Sequence, residues 1–324
     1  MTSREERAGR RWLAAWRFVR GLPEPAALSL GTVGGLLFYR LDARRRAALR
    51  ANLRQVLGPE VPPRRLERVV RKGFVSYGRY WAEAFRLEDL SQAEIRRRMP
   101  LEGREHLDKA LAAGRGIVFA TPHLGNWDVG GAWLVANGYP TTVVVERLRP
   151  VEVYERFVAY RENLGMRLLP LDHGPETFRQ VIRALRAGQL VALVCDRDLT
   201  GGGIPVTLFG RRATMPGGPA SLALRTGAAL LPCAIYQDRA RPGWWDAIVL
   251  PPLKVEPSGD GRADVTALTQ ALASSFEQLI ARAPEQWHVL SEHWRERRPR
   301  AAEAADVPAG IDADADAGAG GGLL

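Results

Sequence analysis

Six apolar runs of strand length, alternating with helical patterns, restrict this chain to an α/β fold. The runs are Ile117 to Ala120, Thr141 to Val145, Arg167 to Leu171, Leu190 to Cys195, Leu230 to Tyr236 and Ala247 to Leu250. Helical sequence lies between most of them, as in Val151 to Leu164, Glu176 to Ala187 and Gly218 to Thr226, and Ala263 to Ala283 reads as a closing helix. Alternation of this kind buries both faces of a sheet, so the expected architecture is a central, mostly parallel sheet flanked by helices. With 324 residues and 9 tryptophans the chain has ample material for such a core. One catalytic domain with added ends is expected: 51–298 as the α/β domain, 1–50 as N-terminal membrane-associating helices, and 299–324 as a disordered acidic Ala/Gly tail.

The first of these runs leads into Thr121-Pro122-His123-Leu124-Gly125-Asn126-Trp127-Asp128, where Thr121-Pro122 breaks the strand and Asn126 opens a helix with an acid in its first turn. His123 thus sits on a strand-to-helix turn, where α/β folds bind ligands. If the turn folds back, Asp128 can accept the imidazole N–H and leave the other nitrogen free as a base. A lone His-x-x-x-x-Asp also arises by chance, and a histidine satisfied by local hydrogen bonds is the competing reading. Two further polar clusters follow strand runs: Glu146-Arg147 after the second, and Asp196-Arg197-Asp198 after the fourth. Three such clusters favour a shared cleft at the C-terminal edge of the sheet, against the alternative of a salt-bridge network of Asp196 and Asp198 with Arg197 and Arg147.

The formal net charge is +10, carried almost entirely by arginine, because Lys72, Lys109 and Lys254 are the only lysines. The acidic tail raises the positive excess of the rest, which should seek anionic partners: acidic phospholipid, coenzyme A phosphates or nucleic acid. The Trp and Arg clusters form no recognisable nucleic-acid-binding module, which speaks against the last. Two cysteines, Cys195 and Cys233, sit in apolar runs and read as buried thiols, and the five histidines form no metal-ligand pattern with acids or cysteines, so no metal is expected. Gly-x-Ser-x-Gly is absent, which disfavours an acyl-serine.

Residues 4 to 20 are Arg-rich, with Trp12, Ala15, Trp16 and Val19 at helical spacing. Such a helix can lie on a membrane surface or pack its Trp face on the domain. Pro25 to Tyr39 is apolar and Gly-rich and is closed by arginines from Arg40 to Arg46; it is too short to span a bilayer and suits an interfacial segment with the arginines at lipid head groups. No signal peptide is expected. Val70, Phe74, Tyr77, Trp81 and Phe85 mark one face of an amphipathic helix, for core packing or, alternatively, an acyl-chain groove.

Taken together, His123 with Asp128, Val145-Glu146-Arg147, Arg161, Cys195-Asp196-Arg197-Asp198, Met215-Pro216-Gly217-Gly218-Pro219-Ala220 and Ala283-Pro284-Glu285-Gln286-Trp287 through Trp294-Arg295 occur in the order seen in one family. Over roughly residues 10 to 298 the chain resembles the His-x-x-x-x-Asp acyltransferases, in the branch of lipid A acyltransferases and actinobacterial phosphatidylinositol mannoside acyltransferases. The resemblance implies an acyl-CoA:glycolipid O-acyltransferase, with acyl-CoA as co-substrate and no cofactor. It also implies a mannosylated phosphatidylinositol acceptor and a peripheral or monotopic position on the cytoplasmic face of the plasma membrane. It makes Asp196 a second carboxylate partner of His123, at a position where the mannoside branch carries Glu, and places Arg161 on the acyl-donor side. Arg225 and Gly203, in the Gly201-Gly202-Gly203 run, are weaker substrate-binding candidates. Backbone N–H groups near Gly125 and Asn126 are the expected oxyanion donors. A lipid A-type lauroyl or myristoyl transferase, a non-catalytic basic membrane-binding protein and a thioesterase are the alternatives.

Overall fold

The computed structural model describes residues 3–146, 151–171, 174–198 and 201–294; Arg147, His173 and the expected tail at 299–324 lie outside the described residues. Four helices open the chain: α1 (Ser3–Gly21), α2 (Glu24–Leu41), α3 (Ala43–Leu57) and α4 (Pro63–Arg86). After α5 (Gln92–Arg98), β1 (Leu101–Glu102) and α6 (Arg104–Ala112) the alternating part begins: β2 (Ile117–Thr121), α7 (Trp127–Ala136), β3 (Thr141–Val145), α8 (Val151–Asn163), β4 (Arg167–Pro170), α9 (Pro175–Arg186) and β5 (Leu190–Val194). A hairpin of β6 (Ile204–Leu208) and β7 (Arg211–Met215) precedes α10 (Gly218–Thr226), β8 (Ala229–Gln237), β9 (Trp245–Val249) and α11 (Gly261–Arg282).

The main sheet has the order β1-β9-β8-β2-β5-β3-β4. Its strands from β8 to β4 are parallel, whereas β9 runs antiparallel to β8 and carries β1 with it. The α/β expectation therefore holds, with a reversed edge that the apolar runs did not announce. β2, β5 and β3 are neighbours, so the segments leaving their C-terminal ends meet. Apolar clusters fill both faces, one centred on α9, α10 and α11 and the other on α4, α7 and α8.

The stripe on α4 is core: Val70 and Phe74 are fully buried, and Tyr77 and Phe85 nearly so. The α1 tryptophan face also packs inward. Trp16 is buried, stacked on Phe85 and edge-on to Phe157 and Tyr160, which decides for packing over membrane contact at that face. α2 crosses α4 so closely that a Cβ at Gly78 would stand 2.1 Å from the Gly31 carbonyl and one at Gly35 2.3 Å from the Phe74 carbonyl; only glycine permits this approach. The outer side of α2 is left apolar and exposed at Leu30, Val33, Leu37 and Leu41, spaced as one helical stripe. Among the described residues no helix is long and apolar enough to cross a membrane.

Candidate active site

The turn after β2 is shaped by Gly125, whose φ is +61° and whose Cβ, if present, would lie 1.8 Å from the Ile235 carbonyl oxygen. The chain there is clamped between β8 and the C-terminal segment: Gly125 N–H donates to Gln286 O (2.9 Å), Asn126 N–H to Ile235 O (3.0 Å), and His288 N–H to His123 O (2.7 Å). These bonds overturn one expectation. The backbone N–H groups of Gly125 and Asn126 are spent on carbonyls, so they do not offer an oxyanion hole.

His123 is buried, and its partner is Asp196, at the end of the neighbouring strand β5. His123 Nδ1 lies 2.5 Å from Asp196 Oδ1, and the His123 backbone N–H donates to Oδ2 at 3.1 Å. The Trp287 indole N–H also donates to Oδ2, at 2.8 Å. Burial alone would raise the Asp196 carboxyl, but the charge and hydrogen bond of His123, with the Trp287 bond, hold it well below the usual carboxylate range. An ionised carboxylate at Nδ1 fixes the proton there and leaves Nε2 as a lone pair; that nitrogen is buried and has no hydrogen-bond partner among the described residues.

Asp128 does not hold the imidazole. It stands in the first turn of α7 and turns toward α4 and α8, where it accepts from Tyr80 OH (2.9 Å) and Arg161 Nε (2.8 Å). The reason is geometric: the turn does not fold back, and Asp196 already occupies Nδ1. Arg161 is correspondingly buried, its guanidinium kept charged by Asp128 against the cost of burial and set over the Phe157 ring. Its Nε serves a structural ion pair, a departure from an open phosphate ligand.

Glu146, just past β3, has its carboxyl raised by burial and countered by the charges of Arg197 and His123, which places these three groups in one field. Arg197 bonds Ser291 Oγ at 3.1 Å and Asp196 pairs with His123, while Arg147, the other arginine of the alternative network with Asp196 and Asp198, lies outside the described residues. Asp198 instead ties the glycine run, accepting from Gly201 N–H (2.9 Å) and Gly203 N–H (3.0 Å). Arg225 is a correction. It lies in the last turn of α10 over Phe178, and the chain runs from there into Ala229, which pairs with Ile117 at the start of β2. That is the edge of the sheet opposite His123.

Residues not singled out beforehand complete the centre. On the buried face of α4, Ser76, Tyr80 and Glu83 recur at helical spacing, polar groups where an apolar stripe was read. Glu83 Oε2 accepts from Asn126 Nδ2 (2.9 Å), Trp245 Nε1 (2.9 Å) and Gln237 Nε2 (3.3 Å), and burial raises its carboxyl. Gln237 Nε2 is thereby the donor end, so its Oε1 takes the Ser76 hydroxyl proton (2.8 Å). Ser76 Oγ then has only a lone pair for His288 Nε2 at 2.9 Å, which makes that nitrogen the protonated one. The His288 Nδ1 lone pair is buried and without a hydrogen-bond partner among the described residues, and burial lowers this imidazole to about 3, so it stays neutral. Trp127 lies between, its ring centroid 5.4 Å from His123 and 6.1 Å from His288, with its indole N–H buried and without an acceptor among the described residues. Two nitrogen lone pairs and one N–H donor are therefore grouped around one indole.

Residues 3–296 match the profile of the bacterial lipid A biosynthesis acyltransferases. The chain belongs to that family. It is 41% identical over 286 residues to the phosphatidylinositol mannoside acyltransferase of Mycolicibacterium smegmatis, covering 87% of this chain and 90% of that one. Its counterpart in Mycobacterium tuberculosis is 42% identical over 288 residues, 87% of either chain. The lipid A biosynthesis palmitoleoyltransferase of Escherichia coli is 23% identical over 304 residues, 91% of this chain and 95% of that one. Among solved structures, a 1-acyl-sn-glycerophosphate acyltransferase from Thermotoga maritima aligns over 80% of this chain and 99% of its own, at 14% identity and a TM-score of 0.35. As a member of the lipid A acyltransferase family, the protein is an enzyme of acyl transfer.

Proposed function

We propose that this acyltransferase moves a long, palmitoyl-type acyl group from acyl-CoA to the 6-position of a mannose of phosphatidylinositol mannoside. The acceptor is suggested by the two mycobacterial relatives, and the chemistry rests on one observation: a buried imidazole with Nδ1 on an ionised carboxylate and Nε2 free. His123 Nε2 removes the hydroxyl proton as the oxygen attacks the thioester carbonyl, and Asp196 stabilises the imidazolium that forms. The tetrahedral oxyanion collapses with loss of the thiolate, which needs no strong general acid, and no acyl-enzyme intervenes. Among the described residues the Trp127 indole N–H is a donor available for the oxyanion, since the backbone N–H groups of Gly125 and Asn126 are taken. His288 Nδ1 accepts from a second sugar hydroxyl, and Glu146 and Arg197 bind the polar parts of the substrates.

The exposed stripe of α2 with Phe18 of α1, amid the arginines of residues 1–50, supports a monotopic position on the cytoplasmic leaflet. In this reading 51–298 is the catalytic domain. A lipid A-type acceptor is the second reading, favoured by the family profile. Release of coenzyme A from palmitoyl-CoA, with mannosylated phosphatidylinositol, with a lipid A precursor and without acceptor, decides among them. Release that needs the mannoside and vanishes in His123→Ala supports the proposal. Release unaffected by His123→Ala sinks it, and equal release without acceptor marks a thioesterase.

A further inference from the structure

We propose that the cleft between α1 and α8 holds the phosphate of an anionic phospholipid head group, at a site separate from His123. The proposal rests on the membrane position argued above and names the lipid contact that fixes it. The cleft encloses about 290 Å³, with Trp16, Arg17, Arg20, Glu88, Arg156 and Asn163 among its walls. Three guanidiniums and one carboxylate thus share these walls. Although burial raises Glu88, its bonds with Arg156 and Asn163 and the charges of Arg156 and Arg20 bring it below the ordinary range. It acts as an anchored anion that aligns its partners: Arg20 Nη1 at 3.1 Å, Asn163 Nδ2 at 3.1 Å, and Arg156. Arg20 is braced a second time by Asp89 at 2.7 Å, and the Arg156 guanidinium lies 4.3 Å from the Trp16 ring centroid.

Two groups in these walls lack a hydrogen-bond or ion-pair partner among the described residues. Trp16 is 1% exposed, yet its indole N–H has no acceptor among the described residues, a cost that a ligand oxygen would remove. Arg17 carries a full set of donors, and its exposed side chain makes no ion pair among the described residues. Braced guanidiniums beside an unfilled donor call for an anion with several acceptor oxygens, and phosphate matches them in charge and geometry. The lipid source follows from the next residue, because Phe18 is 62% exposed beside Arg17 and offers an apolar contact to the acyl region just beyond the head group.

The test is co-sedimentation of the full chain with phosphatidylcholine vesicles, with and without phosphatidylinositol, in salt of about 0.5 M, where diffuse attraction is screened. Arg17→Gln is the informative variant, since Arg17 makes no hydrogen bond or ion pair among the described residues. Arg10→Gln, also an exposed arginine of α1, is the control for loss of one charge. The expected result is about a tenfold weaker partition to phosphatidylinositol vesicles for Arg17→Gln, the scale of one charge-assisted contact, with Arg10→Gln close to the native chain. Equal losses in both variants overturn the cleft and leave a diffuse basic surface. Displacement from the vesicles by millimolar inorganic phosphate, without preference for phosphatidylinositol, overturns the lipid source. A native chain that ignores every vesicle, at low salt as well, refutes the membrane position itself and the cleft with it.

Discussion

Replacing Asp196 by Asn and Asp128 by Asn separates the two carboxylates by kind of damage. Asp196→Asn keeps size and burial but removes the charge opposite His123 Nδ1 and can present an amide N–H to that nitrogen. The proton then moves to Nε2, and the base is lost. The corresponding change in a Ser-His-Asp enzyme costs about 10⁴ in kcat, so a loss of roughly 10³ to 10⁴, about 4 to 5.5 kcal/mol of barrier, is expected here. Asp128→Asn strips the charge facing buried Arg161, which lies 2.8 Å away, and breaking a buried pair costs roughly 3–5 kcal/mol of stability. Its activity per folded molecule should fall far less. The assay pairs acceptor-dependent coenzyme A release with thermal unfolding of the same preparations. Asp196 is depressed in the folded state, so its contribution to stability is present above the unfolded pKa of roughly 3.9 and fades as pH falls through the lower folded value. Asp196→Asn should therefore flatten the acid limb of the stability curve. An Asp128→Asn enzyme that is stable and inactive, beside an active Asp196→Asn enzyme, would refute this assignment.

Trp287→Phe removes the N–H on Asp196 Oδ2; the less solvated carboxylate binds the imidazolium more strongly, so the acid limb of the kcat/KM profile should move to higher pH while kcat falls about tenfold. An unmoved limb would reduce Trp287 to packing. His288→Ala should raise the KM for glycolipid about tenfold, the scale of one hydrogen bond, and leave slow acceptor-free hydrolysis unchanged; equal effects on both reactions would count against a contact with the sugar. Because burial lowers His288 to about 3, the unfolded chain binds the extra proton between roughly pH 3 and 6.5, so this residue makes stability rise with pH across that window. Gly78→Ala places a methyl 2.1 Å from the Gly31 carbonyl and should cost about 1–3 kcal/mol in denaturant unfolding, or release α2 to proteolysis.

The central strands were legible because parallel strands covered on both faces read as unbroken apolar runs. The β6–β7 hairpin was not: Pro205, Arg211 and Arg212 interrupt its apolar pattern, and its turn is made by Phe209 and Gly210, both at positive φ. The place of His123 followed from the strand before it and the helix after it. Its partner did not follow from spacing, because Asp128 and Asp196 differ only in where α7 and β5 carry them, and that is decided by packing. The resemblance pointed to Asp196, whereas local geometry pointed equally to Asp128. Ser76, Tyr80 and Glu83 carried a signal, polar groups at helical spacing on an apolar face. Trp287 entered only through the block that carries the resemblance and His288 carried no signal of its own, since an indole that bonds a carboxylate and one that packs have the same neighbours in sequence.

The short side chain at 196 gives a last test of the pair. Three N–H groups converge on this carboxylate: His123 Nδ1 at 2.5 Å, the His123 backbone at 3.1 Å and Trp287 Nε1 at 2.8 Å. The first two belong to one residue, so the carboxylate lies flat against the turn and bridges its side chain and main chain. Glu would carry the same group about one bond length farther, roughly 1.5 Å. In a site that is 1% exposed, the added methylene must displace neighbours, at about 1–3 kcal/mol, or buckle and give up one of the three bonds. Asp196→Glu should therefore keep the charge and the proton on Nδ1 and fall between the native enzyme and Asp196→Asn, with kcat about tenfold below native. Buckling that sacrifices only the backbone bond predicts a native acid limb, whereas loss of the Trp287 bond predicts the limb of Trp287→Phe. Activity equal to native would mean that the turn yields freely to the longer acid, and that the clamp by Gln286, Ile235 and His288 does not set the position of His123.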